Sequence, residues 1–282
     1  MKKLILEIKN IVEDSRSSIV GGILTGLTLW ESCVIPFLMN NASTWMDIRR
    51  SDVDKLCKLQ NFFLNCLLNT FHCPIPLMYL DLSVLTIPYR ILKDKLILYH
   101  HLACLPEKAL AHQVLKIQER FHFPNLLSDI VHFLNRYEVT DVSTFSKKEW
   151  RNFVKCKIEI ENRDSLLEST KKYKKLDYLS LAVEETGIKK YFFNLDLAGS
   201  RMKFKERSNC VSTCKDSYRS QSLTSMFCDF CTSKSICNLS HWRVCSGYSR
   251  FRSSRNLSLD SHLVAYLRDI IEFRKSDLER NQ

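Results

Sequence analysis

Apolar residues recur along this chain at intervals of three and four, the spacing that gives an α-helix one buried face. Leu56, Leu59, Phe63, Cys66 and Leu67 form such a stripe behind Ser51-Asp52-Val53-Asp54, which reads as a capping box opening a helix. His72-Cys73-Pro74-Ile75-Pro76 ends it. Upstream, Leu4 to about Phe37 reads as one or two helices interrupted near Gly21-Gly22, and Asn40 to Trp45 is turn-like. Pro88 and Pro106 stand where first-turn prolines belong, because an opening turn leaves its N–H groups unused; they predict helices over 88–104 and 106–120. Phe123-Pro124 separates these from a further helix over 125–137. Asp260 is read as the N-cap of a C-terminal helix that buries Leu263, Tyr266, Leu267, Ile270 and Phe273.

From Ser146 the pattern turns charged. Two helical segments, 146–162 and 164–185, carry a basic cluster of Lys171, Lys172, Lys174 and Lys175 around Tyr173. Lys189 to Phe193 reads as a short strand or as the lead-in to another helix, and Arg201, Lys203, Lys205 and Arg207 continue the positive run. A run of this kind is usually a solvated helix face; aromatic residues interleaved with it favour nucleic acid.

Composition supports a folded, helical protein. Of 282 residues, 45% are hydrophobic and 26% charged, and six Gly with six Pro are too few for a many-turned sandwich. The net charge of +11 favours polyanionic partners, nucleic acid before an anionic membrane surface. Twelve cysteines invite a disulfide framework, but Glu7 and Lys9 interrupt the apolar stretch a signal peptide needs. The expectation is therefore reduced thiols in a cytoplasmic or nuclear protein that is not secreted. Ile19 to Met39 is long enough to raise a membrane question, yet Glu31 lies inside it, so a buried core helix broken at Pro36 is expected and no membrane span.

Catalytic signatures are sparse. Gly21 to Thr28 has the glycine spacing of a phosphate loop, but Leu27 stands where the lysine must be. His100-His101 lies among apolar neighbours on a predicted helix and is read as structural, and no Cys/His nucleophilic pair stands out.

The sharpest motif is Cys228-x2-Cys231-x9-His241-x3-Cys245. A tight turn brings the first two sulfurs to one side, and residues four apart on a helical turn share a face, so two short pairs close a tetrahedral Cys3His site. Such a site leaves no position open for water and implies structural Zn2+. Cys237 can replace Cys245, and Cys210-x3-Cys214 can supply the first pair. Around the site Trp242, Tyr248 and Phe251 alternate with Arg243, Arg250, Arg252 and Arg255, a combination that suits single strands by stacking on bases and pairing with phosphates. The same aromatics equally serve as the mini-core that a small zinc module needs.

With these motifs placed, the chain resembles the C-terminal region of non-LTR (LINE-type) retrotransposon reverse transcriptases. Leu29 to Pro36 followed by Asn41-Ala42-Ser43-Thr44-Trp45 is similar to their segment just past the polymerase palm; Leu59 to Phe63, Pro76-Leu77 and Asp81 to Leu85 continue the likeness. Cys228 to Tyr248 is similar to their terminal Cys-Cys-His-Cys motif. The resemblance implies thumb-like helices, a linker and a knuckle, with RNA or single-stranded DNA and a reverse transcriptase ribonucleoprotein as partners. No Tyr/Phe-x-Asp-Asp motif occurs, and Asp81 and Asp196 are single carboxylates where two-metal phosphoryl transfer needs paired ones. The expected architecture is mostly α: a helical bundle over 1–145, a basic helical linker over 146–209, and a zinc-knuckle module with a C-terminal helix over 210–282. The expected function is non-catalytic nucleic-acid binding, the alternative a zinc-stapled structural or protein-interaction remnant.

Overall fold

A computed structural model describes residues 2–14, 22–45, 48–70, 73–120, 127–173, 184, 186–208, 210, 239–252 and 260–280. Of these, 80% are helical and none is in a strand, as the apolar periodicity predicts. The helices are α1 (Lys2–Asp14), α2 (Gly22–Leu29), α3 (Ile35–Leu38), α4 (Arg50–Leu68), α5 (Ile75–Leu82), α6 (Ile87–Ala103), α7 (Leu110–Arg120), α8 (Leu127–Arg136) and α9 (Lys147–Thr170). They continue with α10 (Tyr191–Asn194), α11 (Leu197–Arg207), α12 (Leu239–Val244), α13 (Ser249–Arg252) and α14 (Asp260–Arg280).

The first core gathers α1, α2, α4 and α5. Ile5, Ile8 and Val12, one face of α1, are buried against α2 and α4. The three helices converge at Gly26, where a Cβ would lie 2.5 Å from Leu67 Cδ1 and 3.0 Å from Val12 Cγ2. Gly26, the last glycine of that phosphate-loop spacing, therefore serves helix packing. Trp30 stacks on Phe63 with centroids 4.2 Å apart. Trp30–Val34 forms one wide π turn, closed by the Ile35 N–H on the Trp30 carbonyl. Pro36 follows at once; it lacks an N–H and its ring would crowd the Ser32 carbonyl, which accounts for the widening. Glu31, on this turn, makes a two-pronged contact with Arg90, with Nη1 to Oε2 at 2.9 Å.

Several helix limits differ from expectation. α4 starts at Arg50 with Arg49 as its cap and no side-chain capping bond, while Asp52 pairs with Lys55 at 2.8 Å. α7 begins at Leu110, behind a turn in which Ala109 N–H reaches the Pro106 carbonyl at 2.8 Å. Residues 147–170 form one helix where two were predicted across Arg163. No glycine or proline interrupts it, and Trp150, Val154, Ile158, Asn162 and Leu166 continue one buried stripe at four-residue spacing. Ser146 and Glu149 form its capping box. Lys189 to Phe193 leads into helix α10.

α9 lies along α6 and joins the first core to a second. Leu96, Leu115, Ile130, Phe133, Val142, Trp150, Val154 and Ile158 are buried together, and Trp150 Nε1 donates to the Leu96 carbonyl at 2.9 Å. Buried Asn162 accepts from both the N–H (3.2 Å) and the hydroxyl (3.0 Å) of Thr86, the N-cap of α6. The boundary drawn at 145/146 thus falls between elements that pack on each other. α14 packs on α11, with Lys203 to Asp260 at 3.0 Å and Arg268 to Asp196 at 2.9 Å.

Asp81 is fully buried on α5. It accepts from Arg207 Nε at 3.0 and 2.9 Å and from the Tyr191 hydroxyl at 2.8 Å. Arg207 also pairs with Glu184, which Lys189 meets at 2.8 Å. Burial pushes the Asp81 carboxyl above its usual range, against the Arg207 charge and the Tyr191 bond. Burial likewise opposes the Arg207 charge, but Asp81 and Glu184 outweigh it and hold the guanidinium protonated.

No single helix among the described residues is long and apolar enough to cross a membrane. α5 and α6 together reach that length as a pair bent by 49°, but they bury Asp81, Arg90 and Lys95 inside the protein.

Replacing Arg207 by Met should cost about 3–5 kcal/mol, because it strands a buried carboxylate. Asp81→Leu combined with Arg207→Met should recover most of that loss, read from urea unfolding midpoints.

Candidate functional site

Of the four zinc ligands expected from sequence, the structure places two. His241 stands on α12 and Cys245 just past it, and the Cys245 N–H reaches the His241 carbonyl at 2.8 Å, so one helical turn separates them. Cys228 and Cys231 lie outside the described residues, as do the rivals Cys237 and Cys214. Cys245 is buried and His241 half-buried. A thiol and an imidazole four residues apart suit the closing half of a Cys3His site. Among the described residues no three His, Cys, Asp or Glu side chains gather as a metal group.

The aromatic residues beside them require a correction. Trp242 is 1% exposed and Tyr248 fully buried, in a small core with Cys245, Leu263, Tyr266, Leu267 and Ile270. Their rings meet edge-on with centroids 6.2 Å apart, and the Tyr266 hydroxyl donates to the Trp242 carbonyl. Neither ring presents a face on which a base could stack. Half-buried Phe251 packs on the same cluster. The aromatics expected as a nucleic-acid platform fill the module's own core, since so small a module has little else with which to exclude water.

The expected basic run is also partly committed elsewhere. Lys171 meets Glu168 at 2.6 Å, and Lys172 is exposed. Arg201 donates to the Leu67 carbonyl at 2.9 Å and pairs with Glu13 at 3.3 Å; Lys203 holds Glu206 at 3.1 Å. Arg243, exposed in part, pairs with Glu206. Lys174, Lys175 and Arg255, with the side chains of Arg250 and Arg252, lie outside the described residues.

A different cationic surface stands clear. Lys147, Lys148, Arg151 and Lys155 are all exposed on the first turns of α9 and make no ion pair among the described residues. Positions 147, 151 and 155 repeat every four residues and 148 lies beside them, so the four charges share one face over about 12 Å of helix axis. The adjoining face of the same turns is anchored by Trp150 and Val154. The signal was available in sequence: basic residues at i, i+4 and i+8 behind a Ser-x-x-Glu capping box. Beside the stripe, a cleft of ≈ 480 Å³ between α6 and α9 has Lys147 and Arg151 on its lining, with Trp150, Ile97 and Leu98.

The residues that invite a catalytic reading are engaged. His100 Nε2 is 3.0 Å from the Phe145 carbonyl, and that ring nitrogen must carry the proton to bond there. It cannot then serve as base for Cys104, whose sulfur lies 3.6 Å from the same nitrogen. Asp196 caps α11 by accepting from Gly199 N–H at 2.7 Å. The chain matches no family model, no curated protein and no solved structure.

Trp242→Ala should destabilise the C-terminal module by about 3–5 kcal/mol, the usual cost of emptying a buried aromatic site. Hydrogen exchange of the 263–270 amides should lose protection. Reduced nucleic-acid affinity with unchanged protection would restore the stacking role instead.

Proposed function

We propose that this chain is a non-catalytic nucleic-acid-binding protein for RNA or single-stranded DNA, related to the C-terminal region of a non-LTR retrotransposon reverse transcriptase. The observation that carries it is the exposed stripe of Lys147, Lys148, Arg151 and Lys155, without an ion pair among the described residues, on a helix whose adjoining face is locked in a core. Cations on a rigid rod meet phosphates without first being ordered, and a chain of net charge +11 draws a polyanion towards them. Lys171, Lys172, Lys174, Lys175, Arg243, Arg250, Arg252 and Arg255 extend the positive character. A reverse transcriptase ribonucleoprotein is the assembly in which such a surface would act.

Structural Zn2+ belongs to the proposal, held by Cys228, Cys231, His241 and Cys245, with Cys237 as the rival to Cys245. The burial of Cys245 against Trp242 and Tyr248 supports a stapling role for the ion. That burial also favours a second reading, in which the C-terminal module is a structural or protein-interaction element and takes no part in nucleic-acid binding.

Fluorescence anisotropy with single-stranded RNA and DNA oligonucleotides tests the main proposal. Affinity should fall with salt, with a log–log slope of about −0.7 per phosphate neutralised. Changing Lys148, Arg151 and Lys155 to Glu should weaken binding at least tenfold and flatten the slope by about 2, one increment for each lost contact. Absence of binding at low salt would overturn the proposal.

Elemental mass spectrometry of the purified protein should find zinc, and Cys228→Ser should remove it. Comparison of Cys237→Ser with Cys245→Ser decides the fourth ligand. A zinc-free wild-type protein would dispose of the staple.

A further inference from the structure

Two thiols far apart in the chain meet where the end of α11 rests on the connection between α4 and α5. Cys73 is buried there, with its sulfur accepting from the Thr70 hydroxyl at 2.7 Å and lying 3.2 Å from Ser208 Oγ. The Cys210 thiol hydrogen-bonds to the same sulfur. Half-exposed Cys210 is held over the helix end by its own N–H on the Lys205 carbonyl at 2.8 Å, and its sulfur reaches the Ser208 carbonyl at 3.3 Å.

This surrounding favours sulfur as an anion. The bond from Cys210 is the largest influence, opposed by burial and joined by Ser208, Thr70 and the Lys205 charge; together they hold Cys73 down to about 6. The Lys205 charge makes the position a poor one for a metal cation, whereas a thiolate nucleophile gains from it. A second thiol in contact supplies what a lone reactive cysteine lacks, a partner that resolves its oxidised form.

We propose that Cys73 and Cys210 form a peroxide-reactive dithiol site that closes to a reversible disulfide between the α4–α5 connection and the end of α11. The Cys73 thiolate attacks one oxygen of hydrogen peroxide; the O–O bond breaks and hydroxide leaves, taking up a proton as water. The product is the Cys73 sulfenic acid. The Cys210 sulfur then attacks the Cys73 sulfur, the S–O bond breaks, and a second water departs with the Cys210 proton. Two thiols have given two electrons to one peroxide, and a dithiol reductant reverses the change.

The test uses the full chain, reduced and then exposed to limiting hydrogen peroxide, quenched by alkylation in denaturant and mapped by peptide mass spectrometry. With the Thr70 hydroxyl on its sulfur and a resolving thiol in contact, Cys73 should enter the Cys73–Cys210 linked peptide before the exposed Cys33, Cys104 and Cys156 are oxidised, reversing the order that exposure alone would give. Cys210→Ser should abolish the link and leave Cys73 trappable as sulfenic acid by a cyclic 1,3-dione. Prior oxidation of the exposed cysteines or linkage of Cys73 to another partner would each overturn the proposal, and these readouts need only the wild-type protein.

Discussion

Asp81 has no exposed surface, and its two oxygens meet Arg207 Nε at 3.0 and 2.9 Å and the Tyr191 hydroxyl at 2.8 Å. A carboxylate so placed has lost its water and depends on those donors being where they are. Arg207 closes α11 and Tyr191 opens α10, so the carboxylate fixes two helices against α5, and Lys189 N–H on the Asp81 main-chain carbonyl at 3.0 Å adds the lead-in to α10. Much of the fold follows from that placement. Once α11 is held, Arg201 reaches Glu13 on α1, Lys203 reaches Asp260 on α14, and the Cys210 thiol comes against Cys73. Such a pair is weaker support for stability than its geometry implies, since apolar residues fill the same space without desolvation. What it contributes is a register between helices that hydrophobic contact alone leaves loose.

Local chemistry was the legible part. The period of apolar residues gave the helical class, Pro88 marked the first turn of α6, and Leu263, Tyr266, Leu267 and Ile270 face inward on α14 as their spacing implies. The errors have two sources. The sequence reading breaks α9 at Arg163, although its four-residue apolar stripe runs on to Leu166. Arg201, Lys203 and Arg207 read in sequence as part of a positive run because their partners Glu13, Asp260 and Asp81 are remote along the chain. Sequence displays the cation and conceals the anion that neutralises it. Trp242 and Tyr248 failed similarly: an aromatic beside arginines has one appearance in sequence and two environments in a fold.

Charge is consequently divided between two tasks. One set of cations is inward or paired, including Arg90 on Glu31, Lys95 on Asp129 and Arg207 on Asp81, and its work is to join helices. The other set, Lys147, Lys148, Arg151 and Lys155, stays in water on a helix that Trp150, Val154 and Ile158 hold rigid. Among the described residues the second set keeps its charges unpaired, so the count of 42 Lys and Arg overstates the surface available to a polyanion. The aromatic residues divide the same way, with the rings of Trp242 and Tyr248 spent on a core of a few side chains. The proposed interface, built from what remains among the described residues, is rich in phosphate-directed cations and poor in faces for bases. Backbone contacts position a nucleic acid without reading it. A nucleic acid bound through this helix, as proposed, would therefore be chosen by charge and shape, and any preference for sequence would come from elsewhere in the chain.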